Sequence, residues 1–219
     1  GLGREMGRVF DLAQRLRQLA QTSGKPLWAI ADEAALSAAY AIACAADRLW
    51  LTRTAEVGSI GVWQAHFDYS KALEEEGVKP TLISAGKFKI EGNPYVPLDE
   101  QAQAFMQSRV DDYYNAFVEA VALGRGVSIN DVKTGMGEGR VLGADAALAQ
   151  NMVDGIATLE TVIRTVAKAT RATSARTVRA QEDGLEPRAR VEDDPDEGKP
   201  FRTRAHELAA DLDALISHA

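Results

Sequence analysis

Apolar and polar positions follow two periods along this chain. Val9, Leu12, Leu16 and Leu19 recur every three or four residues, which predicts an amphipathic helix ending near Ser23-Gly24, with Gly3 and Gly7 flanking a tight entry into it. Pro26-Leu27-Trp28-Ala29-Ile30 is a short apolar run between Gly24-Lys25 and Asp32-Glu33, the pattern of a buried strand. In Ala31 to Asp47, ADEAALSAAYAIACAAD, small residues with Tyr40, Ile42 and Cys44 continue without Gly or Pro. That stretch predicts a helix packed tightly against a sheet, and Ser37 falls where the preceding loop becomes the helix. Arg48 to Thr52 reads as a second strand and Pro80 to Ser84 as a third. Asp68 to Glu76 reads as an exposed helix with Leu73 inward.

The strongest helical pattern runs from Leu98 to Leu123, where Met106, Val110, Tyr113, Phe117 and Val121 form one stripe. Ser128-Ile129-Asn130-Asp131 has the form of a capping box with Asp in place of Glu. Gly139-Arg140-Val141-Leu142 then returns the chain, Ala144 to Gln150 and Leu159 to Ala169 supply closing helices, and Asp154 with Gly155 marks a turn. Strands alternating with helices imply an α/β fold with parallel pairing and crossover helices. The first 169 residues read as one domain. Residues 170–200 are rich in charge of both signs and hold Pro187, Pro195 and Pro200, the profile of a solvated linker. Residues 201–219 recover a stripe of Leu208, Leu212, Leu215 and Ile216, which predicts a short amphipathic helix suited to docking or assembly.

Composition narrows the function classes. The 219 residues are 46% hydrophobic and 26% charged, with a net charge of −7 and no Lys/Arg-rich run, which argues against a nucleic-acid partner held by its phosphates. One cysteine, Cys44, excludes an internal disulfide and is expected to pack as a small apolar residue. No apolar run approaches the ~20 residues of a membrane span. Nothing in the sequence calls for a cofactor or a metal. The first residue is Gly1 rather than Met, so the chain is expected to be a processed or partial form lacking its own N-terminus.

Ser37 has two readings. It can cap its helix by accepting from the backbone N–H of Ala39 or Tyr40, or it can be a nucleophile. A serine hydroxyl needs a base within hydrogen-bond reach to attack an amide. His66, His206 and His218 offer little support for a Ser-His-Asp triad, since two lie in the tail and His66 has no motif around it. Lysine does the same work when uncharged, which means lowering its pKa from about 10.4 into the neutral range at roughly 4 kcal/mol, by desolvation away from carboxylates. Lys87 and Lys89 alternate in the loop AGKFKIEGNP; Lys89 lies between Phe88 and Ile90, and Glu91 shares its side if the loop is extended. Gly58-Ser59-Ile60-Gly61 places a second serine between two glycines, which is otherwise read as a turn.

Taken together, ALSAAYAIACAADRLWLTRTAEVGSIGV (Ala35 to Val62), SAGKFKIEGNPYVPLDEQAQAFMQSRVDDYYNAFVEAVALGRG (Ser84 to Gly126) and GRVLGADAALAQNMVDGI (Gly139 to Ile156) resemble the nucleophile region, lysine loop and closing segment of the signal peptide peptidase family of serine peptidases. Within it, the compact form followed by a charged extension looks most like the tailed-phage head maturation proteases. The resemblance implies the Clp protease/crotonase fold, a twisted sheet flanked by helices and often oligomeric, whose N-terminal strands are expected to be missing from this sequence. It implies Ser37 as nucleophile and Lys89, rather than Lys87, as general base, with Ser59 orienting the lysine amine. The oxyanion donors it implies are the backbone N–H groups of Ala38 and Gly3.

Three positions depart from the pattern. Leu2 stands where a glycine is usual ahead of Gly3, and Ala38-Ala39 replaces the common Gly-Gly. Implied substrates are extended segments of capsid, scaffold or portal proteins, cleaved by a homo-oligomer in the procapsid or host cytoplasm. The alternatives are a cellular signal peptide peptidase tethered to a bacterial membrane by a missing anchor, and a non-catalytic assembly domain on the same fold.

Overall fold

The computed structural model describes residues 2–182, with side chains described over 8–170. In chain order the elements are α1 (Leu2–Ser23), β1 (Trp28–Ala31), β2 (Ala34–Leu36), α2 (Ala38–Ala43), β3 (Arg48–Leu51), β4 (Glu56–Gly58), α3 (Ser70–Glu75), α4 (Glu100–Arg125), α5 (Ile129–Gly135), a 3₁₀ turn at Gly137–Gly139, β5 (Val141–Gly143), α6 (Ala144–Ala149), β6 (Gly155–Ile156) and α7 (Leu159–Glu182). They form two compact units, one made of the chain up to Ile60 and from Phe117 onward, the other of Gly61–Ala116.

The first unit has the expected α/β class. It holds two three-stranded sheets: β1-β3-β6, parallel throughout, and β2-β4-β5, in which β2 and β4 are parallel and β5 is antiparallel. Strand alternation sends Leu49 and Leu51 of β3 into a core shared with Tyr40, Val57, Phe117, Val118 and Val121, all essentially inaccessible to water. Each large side chain removed from water there contributes roughly 1.5–3 kcal/mol. The capping box forms as the sequence predicts: the Ser128 hydroxyl accepts from Asp131 N–H at 3.1 Å, and the Asp131 carboxylate accepts from Ser128 N–H at 3.0 Å.

Several expectations shift in this unit. Gly3 and Gly7 lie inside α1 rather than ahead of it. Leu12 and Leu19 point to solvent, because the packed face is rotated toward Ala13, Arg17 and Phe10, whose ring meets Phe117 at 5.8 Å between centroids. Gly155 opens β6 instead of turning the chain, and its Cα lies so close to the Trp50 ring that an added Cβ would come within 2.8 Å of Trp50 Cε3. The helix at Leu159 continues to Glu182, past the predicted linker start at residue 170; no Gly or Pro interrupts it before Gly184. The rest of the predicted linker and the 201–219 helix lie outside the described residues.

In the second unit, α3 forms and turns Leu73 inward as expected. Pro80 to Ser84 is not a strand. The segment is exposed, with Ile83 94% accessible, and β-favouring residues without a neighbouring strand have nothing to pair with. This unit carries other open apolar side chains, Trp63, Phe67 and Tyr69 among them. The α4 stripe is fully buried from Phe117 onward, whereas Met106, Val110 and Tyr113 are half-buried.

Candidate active site

The register of one parallel strand pair builds the site. Ala34 lies opposite Glu56, Ala35 opposite Val57, and Leu36 opposite Gly58. Ser37 and Ser59 are the next residues of β2 and β4, so the register delivers two serines to adjacent carboxyl ends of parallel strands. In open α/β sheets that is the end where ligands bind. The Ser37 N–H donates to the Gly58 carbonyl at 2.8 Å, and the Ser59 N–H donates to the Arg140 carbonyl at 2.9 Å.

Both serines occupy the left-handed region, Ser37 at φ 50° and Ser59 at φ 55°. Non-glycine residues in such conformations each cost of order 1–3 kcal/mol and persist where surrounding structure holds them. Ser37 immediately precedes α2, yet its side chain makes no capping bond. The capping reading of Ser37 is therefore corrected. A capping residue is ordinarily extended, as Ser128 is at φ −73° and ψ 156°, whereas Ser37 at ψ −119° is twisted out of that region. A serine on a strained strand-to-helix turn, released from the helix it introduces, is the local form of a nucleophile elbow.

α2 supplies donors at the same place. Its bonding begins with Ala41 N–H to Ser37 O at 3.0 Å, and the first N–H groups of a helix, that of Ala38 included, have no acceptor within it. Gly58 leaves no freedom to the strand end beside it. Its φ is 119°, and an added Cβ would sit 2.6 Å from the Arg140 carbonyl oxygen.

The far end of α2 is fixed by a single guanidinium. Arg17 of α1 donates to Cys44 O at 2.7 Å and to Leu123 O at 3.1 Å, closing the carbonyl ends of two helices. Gly124 permits the close approach of α4, since a Cβ there would lie 2.6 Å from Cys44 Cβ. Below this, Arg125 makes a buried two-pronged pair with Asp154, both bonds 2.8 Å, and Asp154 also accepts from Leu49 N–H at 2.7 Å. Burial depresses the Arg125 pKa, but hydrogen bonding and attraction from Asp154 outweigh it and hold the guanidinium charged. Cys44 packs as a buried small residue, as expected, and burial pushes its thiol up to about 11. Sequence reasoning took Asp154 for a turn residue and passed over Arg17 and Arg125. Small residues at Cys44 and Gly124 are the signal that two helices approach closely there.

Lys89 belongs to the second unit. It sits in a turn, with its backbone N–H donating to Gly86 O at 3.1 Å, and it is exposed, as are the flanking Phe88 and Ile90 expected to wall it. The competing Lys87 lies over the Phe88 ring, 4.7 Å from its centroid. His66 Nε2 is 3.0 Å from Asn93 O, a local contact within this unit. His206 and His218 lie outside the described residues. Gly3 falls in the first turn of α1.

A model of peptidase family S49 matches residues 19–173. The chain belongs to peptidase family S49. This S49 chain is 37% identical over 147 residues to capsid assembly protease C of Escherichia phage lambda, covering 66% of the chain and 32% of that protein. It is 35% identical over 155 residues to the head-tail preconnector protein GP5 of Enterobacteria phage P21, covering 69% of the chain and 30% of that protein. A putative signal peptide peptidase SppA from Enterococcus faecium is 27% identical over 179 residues, 81% of the chain and 52% of that protein. The chain thus spans about a third of the length of the two phage relatives. The S49 match includes Ser37, Ala38, Ser59 and Lys89 and leaves out Gly3. No helix among the described residues is long and apolar enough to cross a membrane.

Proposed function

We propose that the chain is the peptidase domain of a serine endopeptidase that works through a Ser37/Lys89 dyad. The observation that carries this reading is the Ser37 backbone, strained and uncapped at the end of β2 beside Ser59. Ser37 Oγ attacks the scissile carbonyl carbon while the uncharged Lys89 amine takes its proton, and the N–H groups of Ala38 and Gly3 hold the oxyanion. The C–N bond breaks as Lys89 returns the proton to the leaving amine. A water deprotonated by Lys89 then attacks the ester, releasing the acid product and restoring Ser37. Ser59 accepts a hydrogen bond from the amine and orients it without adding negative charge.

Lys89 and its apolar neighbours are open in the single chain. Assembly into a homo-oligomer that covers the second unit supplies the dry setting this chemistry needs. Its open Trp63, Phe67 and Ile83 favour such assembly. Likeness to the two phage proteins points to capsid, scaffold or portal segments as substrates, bound as an added strand in the procapsid or host cytoplasm. The longer match to the SppA protein favours a second reading, removal of remnant signal peptides at a bacterial membrane.

A fluorophosphonate probe applied to the folded protein tests the reading. The expected result is one adduct on Ser37, absent in Ser37→Ala. A folded protein that never takes the probe overturns it and leaves a non-catalytic assembly domain. Digestion of purified capsid proteins and of signal peptides, with products mapped by mass, separates the two substrate classes.

A further inference from the structure

We propose that Tyr40 and Met152 form a clamp that sets the position of Ser37 relative to β4, making Tyr40 a positioning residue for the chemistry of this site. The catalytic half of this proposal rests on Ser37 being the nucleophile.

Tyr40 lies in the first turn of α2, three residues after Ser37, and is wholly buried. Its hydroxyl donates to the Met152 carbonyl at 2.9 Å, across 112 residues of chain. Met152 is itself fully buried, and its N–H donates to Ala147 O at 2.8 Å, which fixes it to α6. The methionine side chain runs under the end of β4, where its Cε would be 3.3 Å from a Cβ placed on Gly58. Gly58 O in turn accepts the Ser37 N–H.

These contacts close a circuit from Ser37 through α2 to Tyr40, across to Met152, up to Gly58 and back to Ser37. Arg140 borders the same circuit, since its carbonyl crowds Gly58 and accepts the Ser59 N–H. In a helix otherwise made of Ala and Ile, a phenol has no packing rationale that phenylalanine would not meet. The hydroxyl holds the buried Met152 carbonyl and also meets the Cys44 side chain, and a buried carbonyl that loses its donor is left at a cost.

The test compares Tyr40→Phe with Val132→Ala, a core truncation in α5 that removes packing without touching the circuit. In the intact protein, Tyr40→Phe is expected to slow probe labelling of Ser37 and lower kcat about tenfold at unchanged KM. Val132→Ala should leave both unchanged per folded molecule. Amide exchange followed by NMR gives a readout independent of catalysis: Tyr40→Phe should speed exchange of the Ser37 and Ser59 N–H groups about tenfold, and Val132→Ala should not. Unchanged Ser37 exchange in Tyr40→Phe, or an equal kcat loss in Val132→Ala, overturns the proposal. If exchange responds as expected while the wild-type protein takes no probe, the clamp is upheld, and the nucleophile assignment falls together with the catalytic half.

Discussion

The Ser37 N–H donates to the Gly58 carbonyl at 2.8 Å, tying the residue that leaves β2 to the last residue of β4. Gly58 can take that place because it has no Cβ. Gly58→Ala would put a methyl 2.6 Å from the Arg140 carbonyl at φ 119°. The expected loss is roughly 3 kcal/mol, a fall in Tm of about 6–12 °C for a chain of this size. Thermal denaturation of the variant checks it; a change under 2 °C would show that the strand end yields more easily than this packing allows.

Stability measurements also distinguish a nucleophile from a cap. Ser37→Ala should be neutral within about 0.5 kcal/mol, since no capping bond is lost, whereas Ser128→Ala should cost about 1 kcal/mol. Ser37→Gly should stabilise the fold by about 1 kcal/mol by relieving the left-handed strain. Urea titration of the three variants decides the matter, and equal losses at Ser37 and Ser128 would restore the capping reading.

The two lysines of the loop should separate cleanly. Lys89→Ala is expected to lower turnover about 10²–10⁴-fold, while Lys87→Ala, which removes a contact with Phe88, should remain within a few-fold of wild type. Steady-state peptide cleavage measures both. A reversal of the two effects would favour Lys87 over the proposed Lys89 as the base.

The buried Arg125–Asp154 pair is a structural commitment. With the arginine side chain 3% exposed, Asp154→Ala leaves a cation without its carboxylate and should cost about 3–5 kcal/mol. Replacing both residues with leucine should recover part of that loss. Chemical denaturation of the single and double variants checks the coupling.

Alkaline pH should weaken the fold. Burial raises the Cys44 thiol to about 11 and the Tyr40 phenol well above its ordinary value. Between the unfolded thiol value near 9 and the folded value near 11, the native state binds the proton that the unfolded chain has lost. Stability is therefore fully present below pH 9 and declines as pH rises toward 11, by at most about 1.4 kcal/mol per pH unit from this group. Urea midpoints at pH 8.5 and 10.5 should fall further in wild type than in Cys44→Ala, and equal falls would remove Cys44 from the account.

Much of this was legible in the sequence because it is local. The helix start after Ser37, the β1 and β3 runs and the Ser128 capping box follow from spacing and residue type alone, whereas Ala34–Leu36, read as loop and helix, forms the strand β2. What sequence could not reveal depends on partners far along the chain. Pro80 to Ser84 has strand-like residues, but a strand exists only when another pairs with it. Leu12 and Leu19 keep a helical period, yet which face is buried was settled by Arg17 reaching Cys44 and Leu123. The division into two sheets, and the roles of Asp154 and Arg140, likewise come from distant backbone groups.

The β2–β4 register has an outcome for how the site can fail. A one-residue slip of a strand against its neighbour turns every side chain of the strand that slips to the opposite face. Ser37 and Ser59, next in line after Leu36 and Gly58, are level only in the native register, and a slip of β2 would carry Ser37 away from Ser59. The nearness of the two serines is therefore only as secure as the β2–β4 pairing that sets it, and loosening that pairing alone would part them.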